Sequence, residues 1–386
     1  MEKFRTAAGL WPATGFSAIV HGMPYGPADA VDPGTLKRAL VIKLRHHGDV
    51  LLASPVFSVL KNRAPQLEID ALVYADTRDM LSLHPAIAQV HVVERGWKTA
   101  GPLAWLLAES GLLRQLRARR YDLLIHLSEH PRGAWLARAL GPRVAVAPDH
   151  PNKPRFWKRS FTHRYALPNN ARRHMVELNL DALRRIGVQP GDGERALVLV
   201  PGTEAERSVE ATLAGHGLAA KGYVLFHPGS RWQFKCWPAD KAAALLDDLD
   251  RRGERVVISA APDARERELV ADVLARTHHA RPIDLSGKLS LKELAALAGR
   301  ARLFIGVDSA PMHIAAAMQT PVVALFGPSG EFEWGPWRVP HRIVASGEHP
   351  CRPCGNDGCG GGKVSECLTR LSVEAATAAV DSLLAR

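Results

Sequence analysis

A glycine and a carboxylate directly follow the first strongly apolar run of the sequence. Residues 39–44 predict a strand buried on both faces, and residues 50–63 predict a helix. Gly48 and Asp49 lie at the turn between these elements. Because ligands of open α/β sheets bind outside the carboxyl ends of the strands, Asp49 is a candidate catalytic carboxylate beside a helix N-terminus. The local sequence leaves a second interpretation open, in which Asp49 is only a helix N-cap.

The same order of residues returns in the second half of the sequence. An apolar run, residues 303–307, precedes Asp308, Ser309 and a predicted helix over residues 310–318. Ser309 is suited to cap that helix, whose free N–H groups favour a diphosphate, and His313 lies one turn along the same face. A single histidine here would be structural, but its combination with Asp308 indicates a ligand site. The sequence therefore predicts two similar halves that face each other.

A loop rich in anion-binding groups follows the predicted strand over residues 223–226. Gly229 lets backbone N–H groups approach an anion, Ser230 offers a hydroxyl, and Arg231 and Lys235 offer positive charge. The loop matches neither common phosphate-loop pattern, so the residue types rather than their spacing indicate a phosphate-bearing ligand.

A third segment, residues 260–266, follows the next predicted strand. Asp263 is placed to accept hydrogen bonds from ribose hydroxyls. Its alternative interpretation is a helix cap, which the local sequence supports equally well.

The length and composition fit two globular domains. The chain has 386 residues, 46% of them hydrophobic and 23% charged, and is too long for one ordinary core. No apolar run approaches the ~20 residues of a membrane span and no secretory signal pattern is evident, so we expect a cytoplasmic protein. The expected parts are a flexible extension over residues 1–35, a first domain over 36–170, a linker region over 171–222, a second domain over 223–368 and a C-terminal helix over 369–386.

Strands alternate with helices in both halves, which predicts a parallel sheet with right-handed crossovers in each. The predicted strands lie near residues 39–44, 68–74, 90–93, 121–126, 143–147, 223–226, 255–260, 282–285, 302–306 and 321–326. The predicted helices lie near residues 50–63, 102–119, 131–140, 172–186, 205–215, 239–251, 263–277, 290–299, 310–318 and 371–384.

The net charge is +11, and the excess of basic residues is visible in the first half. Two clusters carry it, over residues 114–120 and 153–173, and the second is interleaved with Phe156, Trp157 and Phe161. Such a patch suits a phosphorylated substrate, anionic lipid headgroups or nucleic acid, or is only a solvated surface. No helix-turn-helix, zinc-finger or RNA-recognition pattern accompanies the charges, so we expect no nucleic acid partner.

Four of the five cysteines form a compact set in a glycine-rich tail. They are Cys351, Cys354, Cys359 and Cys367. Four thiolates at such spacing can hold a tetrahedral zinc ion, whereas disulfides are not expected in a reducing cytoplasm. We favour reduced, locally packed thiols and keep structural zinc as the alternative.

Several motifs, in order along the chain, resemble the lipopolysaccharide heptosyltransferases of glycosyltransferase family 9. They are His227-Pro-Gly-Ser with Lys235-Cys-Trp-Pro, the run from Leu285 to Leu294, Gly306-Val-Asp-Ser-Ala-Pro-Met-His-Ile-Ala-Ala, and the run from Thr320 to Pro328. The resemblance extends from about Leu40 to the C-terminus. Residues 43–49 and the cysteine-containing tail are most similar to the heptosyltransferase III branch.

The resemblance implies a GT-B fold, in which two Rossmann-like domains with parallel sheets face each other across a cleft. The second domain would bind the donor, ADP-L-glycero-β-D-manno-heptose, and the first would bind the growing lipopolysaccharide core. The implied reaction is an inverting, metal-independent transfer of heptose onto the inner core, with heptose III added to heptose II and no cofactor required. The implied location is the cytoplasmic face of the inner membrane, as a peripheral protein.

The resemblance also implies roles for individual residues of the donor side. Asp49 matches the general base, and Lys235 matches the lysine at the donor phosphate. Because Asp308 is a poor neighbour for a diphosphate, we expect it to bind sugar hydroxyls. The other donor-side residues are Ser230 and Arg231 in the phosphate loop, Asp263 at the ribose, Leu289 beside the adenine, and Ser309, Ala310 and His313 in the motif that follows Asp308.

On the acceptor side, Lys43 matches a basic position, and Arg45, His46 and His47 complete the predicted site. Many relatives have Ser or Thr in place of the two histidines. This departure from the family pattern puts the identity of the acceptor in question more than the type of reaction.

Three alternatives remain at the level of sequence. The first is a heptosyltransferase I or II type of activity, or transfer of another nucleotide-linked sugar. The second is a non-catalytic sugar-nucleotide binder, which would not require Asp49. The third is a polyanion binder that uses the basic clusters.

Overall fold

Two parallel six-stranded sheets, each covered by helices, form the molecule. The computed structural model describes residues 27–99, 101–167 and 172–385. The first half contains β1 (Arg38–Ile42), α1 (His47–Leu51), α2 (Ser54–Arg63), β2 (Glu68–Tyr74), β3 (Gln89–Val93), α3 (Pro102–Arg119), β4 (Leu123–His126), α4 (Pro131–Leu140), β5 (Val144–Asp149), α5 (Arg155–Ser160), β6 (His163–Ala166) and α6 (Met175–Arg184).

The second half repeats this alternation. It contains α7 (Thr203–Gly215), β7 (Val224–His227), α8 (Ala239–Arg251), β8 (Val256–Ile258), α9 (Ala264–Ala275), β9 (Ile283–Asp284), α10 (Leu291–Arg300), β10 (Leu303–Val307), α11 (Ala310–Ala317), β11 (Val322–Phe326), α12 (Glu331–Trp334), β12 (His341–Ala345), α13 (Glu366–Thr369) and α14 (Val373–Leu384).

The two sheets have the same topology. The strand order is β3-β2-β1-β4-β5-β6 in the first sheet and β12-β11-β10-β7-β8-β9 in the second, so the first and fourth strands of each half are neighbours. This doubly wound order changes direction between β1 and β4, and again between β7 and β10. In such sheets the ligand crevice lies at that change of direction, outside the carboxyl ends of the strands.

The central strands are apolar because helices cover both of their faces. Every residue of β10 and β11 is buried, and in β1 only Arg38 is partly exposed. One apolar cluster is continuous through both halves: it joins α2 and α6 of the first half to α7, α10 and α11 of the second. Two other clusters pack the outer faces of the sheets, one with α3, α4 and α5 and the other with α8, α9 and α14.

The predicted α/β class with parallel sheets is confirmed, but five elements were not predicted. They are strands β6 and β12 and the short helices α5, α12 and α13. Strand β6 (His163–Ala166) begins with two consecutive polar residues, His163 and Arg164, and lies inside a basic stretch, so it lacks the apolar run by which the other strands are predicted. The helix predicted over residues 50–63 is two helices, α1 and α2, which meet at Leu52 and Ala53.

The segment predicted as a linker divides between the two halves. Helix α6 packs against α2, β5 and β6, and helix α7 packs against α10. The segment also contacts the second half at two points. Just before α6, His174 Nε2 donates to Gly335 O over 2.9 Å, and between α6 and α7, Arg195 O accepts from Trp337 Nε1 over 2.6 Å.

Part of the predicted flexible extension is attached to the first half. Arg185 forms two hydrogen bonds with Asp29, of 2.8 and 2.7 Å, and the backbone N–H of Val31 donates to Ile186 O. Residues 1–26 of that extension lie outside the described residues.

Buried histidines should make the fold sensitive to acid. Burial lowers the pKa of His84 to about 4, that of His126 to about 3 and that of His174 to about 4. An unfolded histidine takes up a proton near pH 6.5, so below that pH the unfolded state binds more protons than the folded state. The free energy of unfolding should therefore fall as the pH falls from about 6.5 towards 4, by about 1.4 kcal/mol per pH unit for each of these groups.

Urea unfolding of His174→Gln at several pH values measures this effect. The amide of glutamine can still donate to Gly335 O but does not titrate, so the pH slope should be flatter than in the unaltered protein. His216→Gln, at an exposed position, is the control and should keep the original slope. An unchanged slope in His174→Gln would assign the acid sensitivity to other groups.

Candidate active site

Asp49 lies at the carboxyl end of β1, in the first turn of α1. The N-cap position of α1 is His46, so the interpretation of Asp49 as a helix cap is wrong. The Asp49 side chain is 13% exposed, and Arg45 Nε lies 3.7 Å from its Oδ1. Its carboxylate forms no hydrogen bond with any group in the described part of the chain. Both carboxylate oxygens can therefore accept from a ligand.

The loops after β7 and β10 lie side by side because these strands are neighbours in the second sheet. Lys235 reaches from the first loop to Asp308 at the end of β10, and its Nζ lies 2.6 Å from Asp308 Oδ2. Asp308 is buried, whereas Lys235 is partly exposed. The pair neutralises the carboxylate and fixes the ammonium group at the crevice of the second sheet.

The start of α11 offers donors to an anion at the same crevice. Ser309 occupies the N-cap position, but its side chain does not cap the helix and instead lies 3.4 Å from Val307 O. His313 is buried, and its Nδ1 has no hydrogen-bond partner among the described residues. Burial lowers the pKa of His313, so its ring is neutral near pH 7. Pro311 has no N–H, and that of Met312 donates to Ser309 O. The groups that can hold a diphosphate are therefore the N–H of Ala310, the neutral imidazole and the Lys235 ammonium.

The two halves are in direct contact where Asp49 and the donor side meet. A Cβ at Gly48 would lie 2.8 Å from His313 Cδ2 and 3.8 Å from the Cα of Ala310. Only a residue without a side chain lets α1 lie directly against the start of α11. This contact brings Asp49 within electrostatic range of His313.

Gly48→Ala should therefore displace His313 or part the two halves. We expect kcat/KM to fall by about 10- to 100-fold, because a displacement of about 1 Å at a reacting group has effects of this size. Gly111→Ala in α3 is the matched control, since a Cβ there meets nothing within 4 Å. Steady-state kinetics of the two variants give the comparison. Unchanged kcat/KM in Gly48→Ala would show that this contact opens before the chemical step.

A buried polar chain supports the phosphate loop. His227 Nδ1 lies 3.0 Å from Ser259 Oγ, and His227 Nε2 lies 3.4 Å from Glu266 Oε2. Glu266 is also packed under Gly229, where a Cβ would lie 2.8 Å from its Oε2. The loop thus needs glycine at residue 229 for space. Ser230 is buried, and its hydroxyl accepts from Trp232 N.

Asp263 caps helix α9. Its Oδ1 accepts from the backbone N–H groups of Arg265 and Glu266. The helix-cap interpretation is therefore correct. A contact of Asp263 with a ribose, as predicted, would use the other carboxylate oxygen, Oδ2. Leu289 is partly buried in the loop before α10, and that loop is tied to the end of β8 by a hydrogen bond from Gly287 N to Ala260 O.

Lys43 lies beneath the site and not on its surface. It is 3% exposed, and its Nζ donates to Leu127 O and to Asn179 Oδ1, each over 3.0 Å. Burial lowers its pKa to about 8, against the opposing effect of Asp49. Lys43 is therefore a buried cation and not a surface group available for direct contact with an acceptor.

The other predicted acceptor residues line the cleft. His47 Nε2 lies 2.8 Å from Asp76 O, and Arg95 donates to both Asp76 and Arg45 O. His46 faces the second half: its Nδ1 lies 3.3 Å from Arg231 Nη1, and its ring meets Trp232 edge-on at 6.5 Å.

The tail cysteines are free thiols. Cys351, Cys354 and Cys359 are exposed, and Cys367 is buried, which raises its pKa. In the described parts of the chain, no three His, Cys, Asp or Glu side chains are grouped in a way that could hold a metal ion. The geometry gives the zinc alternative no support.

Comparisons with known proteins assign the chain to a family. The profile of glycosyltransferase family 9 (heptosyltransferase) matches residues 110–364. The chain belongs to this family. It is 37% identical to lipopolysaccharide heptosyltransferase 3 of Escherichia coli over 295 residues, which cover 76% of this chain and 84% of that protein. It is 25% identical to lipopolysaccharide heptosyltransferase 1 of Pseudomonas aeruginosa over 330 residues, 82% of this chain and 86% of that protein.

Solved structures of the family share the fold. A family 9 glycosyltransferase from Veillonella parvula superimposes with a TM-score of 0.78 at 24% identity, covering 93% of this chain and 99% of that one. The heptosyltransferase WaaC of Escherichia coli with ADP gives a TM-score of 0.69 at 18% identity, covering 90% and 99%. The predicted GT-B fold and the assignment as a glycosyltransferase are therefore confirmed.

Several site residues were not predicted from the sequence. Asn179, Arg95 and Glu266 all shape the site, but they come from α6, from the segment after β3 and from α9. For Glu266 a signal existed, because it lies in the segment already selected for Asp263. For Asn179 and Arg95 no local pattern marks the residue, since their importance comes from contacts with distant segments.

Proposed function

We propose that this chain transfers heptose from ADP-heptose to the inner core of lipopolysaccharide, with Asp49 as the general base. The observation that carries the proposal is the meeting of two unlike sites at the Gly48–His313 contact. One offers a carboxylate that forms no hydrogen bond with a described residue, and the other offers the cationic and N–H groups suited to a diphosphate. The name of the Escherichia coli relative, heptosyltransferase 3, supports heptose III as the transferred sugar and heptose II as its acceptor.

The proposed reaction is an inverting displacement. An acceptor hydroxyl gives its proton to Asp49 while its oxygen forms a bond to the anomeric carbon of heptose. The bond from that carbon to the β-phosphate oxygen breaks on the opposite side, and ADP leaves with the bonding electrons. Lys235 and the N–H of Ala310 at the start of α11 stabilise the charge that develops on the departing diphosphate.

In this proposal, different donor-side residues bind different parts of the nucleotide. Lys235, Ser230, Arg231 and the α11 start bind the diphosphate, Asp263 or the neighbouring Glu266 binds the ribose, and Leu289 lies against the adenine. Asp308 keeps Lys235 in place and meets the heptose hydroxyls with its other oxygen.

Metal independence is part of the proposal. It rests on the positive groups at the crevice and on the lack of an Asp-x-Asp pair near either site motif. Enzyme dialysed against a chelator should keep its full turnover, and zinc analysis of that active protein should give a content near zero. Loss of activity that is restored by a divalent ion would contradict this part.

The experiment that tests the function is incubation with ADP-heptose and defined truncated core acceptors, followed by mass analysis. Addition of one heptose to an acceptor that ends in heptose II is the expected result. Addition only to an acceptor without heptose I or II would instead show the alternative activity, as the 25% identity to heptosyltransferase 1 allows. No transfer to any acceptor would overturn the proposal.

We further propose that the protein works at the cytoplasmic face of the inner membrane as a peripheral protein. The core acceptor is built on a lipid anchor, so the first half must approach a bilayer for its cleft to receive the sugar.

A further inference from the structure

A group of exposed apolar side chains covers one end of the helical layer formed by α3, α4 and α5. Five of the nine large apolar residues that are exposed in the described chain lie here. Leu103 is 70% exposed, Leu106 55%, Leu107 63% and Trp135 64%, and Trp105 belongs to the same group. We name these five residues the α3 tip. Contiguous exposed apolar groups of this kind mark interaction sites.

The α3 tip projects from the body of the protein. Residues 102–107 are exposed at every position around the helix, and buried contacts begin only at Leu112. These first two turns contain no charged residue. A helix end that is apolar all round is not the surface of a helix that packs on its own core.

Helix α4 adds Trp135 to the same surface. Arg132 of α4 pairs with Glu109 of α3 over 2.6 Å. Leu106 lies one turn from Glu109, and Trp135 lies one turn from Arg132, so both apolar side chains flank this ion pair. Trp135 also packs on Phe156 of α5, with ring centroids 4.5 Å apart.

The charge around the tip is positive. Residues 101–166 carry twelve basic and four acidic side chains, a large part of the excess in the whole chain. Arg155 and Arg159 at the two ends of α5 are exposed, and neither forms an ion pair with a described residue. The buried Trp157 and Phe161 are core residues, so the aromatic part of the surface is Trp135 and Phe156.

The tip lies on the acceptor side of the cleft. Helix α3 follows β3, so its start is at the carboxyl edge of the first sheet, the same edge as Asp49. The segment between β3 and α3 contains Arg95, which donates to Arg45 O over 3.2 Å. A binding partner of the α3 tip would therefore lie beside the predicted acceptor site.

We infer that the α3 tip inserts into an anionic lipid bilayer while Arg155 and Arg159 bind its headgroups. None of the described helices is long and apolar enough to cross a membrane, and a short apolar helix end beside basic residues is suited to binding at the bilayer surface. The inference rests on the proposed function, which requires a lipid-anchored acceptor. It specifies which surface of the protein meets the membrane.

Vesicle flotation of the full-length chain tests the inference. Vesicles of phosphatidylethanolamine with phosphatidylglycerol should bind the unaltered protein. Leu103→Ser/Leu106→Ser/Leu107→Ser should bind about 10-fold more weakly or worse, because each substitution replaces an apolar CH(CH₃)₂ group in the lipid phase by a hydroxyl. Val364→Ser, at an exposed apolar position of the second half, is the matched control and should bind as before.

A second variant separates the two parts of the surface. Arg155→Gln/Arg159→Gln should weaken binding to the anionic vesicles by about five-fold for each charge, and less at high salt. It should not change binding to phosphatidylcholine vesicles. Arg251→Gln/Arg370→Gln, on exposed arginines of the second half, should leave both unchanged.

Kinetics with two acceptors distinguish this inference from the proposed function. The leucine variant should raise the apparent KM for a membrane-embedded acceptor and leave that for a deacylated, water-soluble core acceptor unchanged. If the unaltered protein transfers heptose to neither acceptor, the proposed function fails, whatever the vesicle result. If it transfers heptose normally and the leucine variant floats with vesicles as well as the control, the inference about the tip is wrong.

Two further results would also overturn it. If the unaltered protein is a dimer in solution and the leucine variant is a monomer, the tip is an interface between two copies. If vesicles bind only after residues 1–26 are deleted, the tip is covered by that segment in the full chain.

Discussion

Asp49→Asn should reduce turnover by about 10²-fold or more while ADP binding changes little. The substitution keeps the size of the side chain and its place in the first turn of α1, but the amide cannot take a proton from the acceptor hydroxyl. A positioned general base contributes about 10²–10⁴ in rate, and the rest of the rate enhancement comes from orientation and from charge stabilisation on the donor side. Single-turnover measurements with saturating donor would isolate the chemical step.

Two controls accompany this variant. Asp272→Asn removes an exposed helical carboxylate that is paired with Arg276, and should leave turnover unchanged. The ADP-induced rise of the thermal midpoint should be the same in Asp49→Asn and in the unaltered protein. Near-normal turnover of Asp49→Asn would remove Asp49 from the role of base.

Lys235→Ala should weaken ADP binding by about 10-fold or more. A hydrogen bond to a charged group is worth about 1.5–3 kcal/mol, and 1.4 kcal/mol corresponds to a factor of ten. The same change leaves the buried carboxylate of Asp308 without its partner, so the protein without ligand should also become less stable. Calorimetric titration with ADP measures the first effect, and urea unfolding measures the second.

A double variant separates binding from stability. Lys235→Ala/Asp308→Asn removes the unpaired charge, so the free energy of unfolding should recover relative to Lys235→Ala, whereas the affinity for ADP should stay low. Lys363→Ala, which breaks an exposed 2.6 Å pair with Asp357, is the control and should affect neither quantity by much. Unchanged ADP affinity in Lys235→Ala would place the diphosphate elsewhere.

The sequence was sufficient for the central strands of both sheets and for the residues that follow them, but not for the edge strands β6 and β12. Buried parallel strands are continuous apolar runs, and ligand residues come shortly after them, so Asp49 and Asp308 could be selected by position, and Lys235 by its charge in the loop after β7. The pairing of Lys235 with Asp308 could not be predicted, because it requires β7 and β10 to be neighbours. The last residues of these strands, His227 and Val307, are 80 residues apart in the sequence, and no local pattern links them.

Other residues were misjudged because their environment is set by distant parts of the chain. Lys43 was expected at the acceptor, but Asn179 and Leu127 enclose its ammonium group. Trp157 and Phe161 were expected beside a basic patch, yet both lie in the core. The exposure of the α3 tip could not be predicted either, because apolar residues in a predicted helix are normally assigned to the interior.

The apolar cluster shared by the two halves has a consequence for how the protein denatures. Separate domains with separate cores would melt in two steps, but here α6 of the first half and α10 of the second belong to one continuous cluster. Exposing the inner face of either half exposes that of the other. Differential scanning calorimetry should therefore record one endotherm whose calorimetric and van't Hoff enthalpies agree, and a ligand of the second half should protect the first half from proteolysis to the same extent.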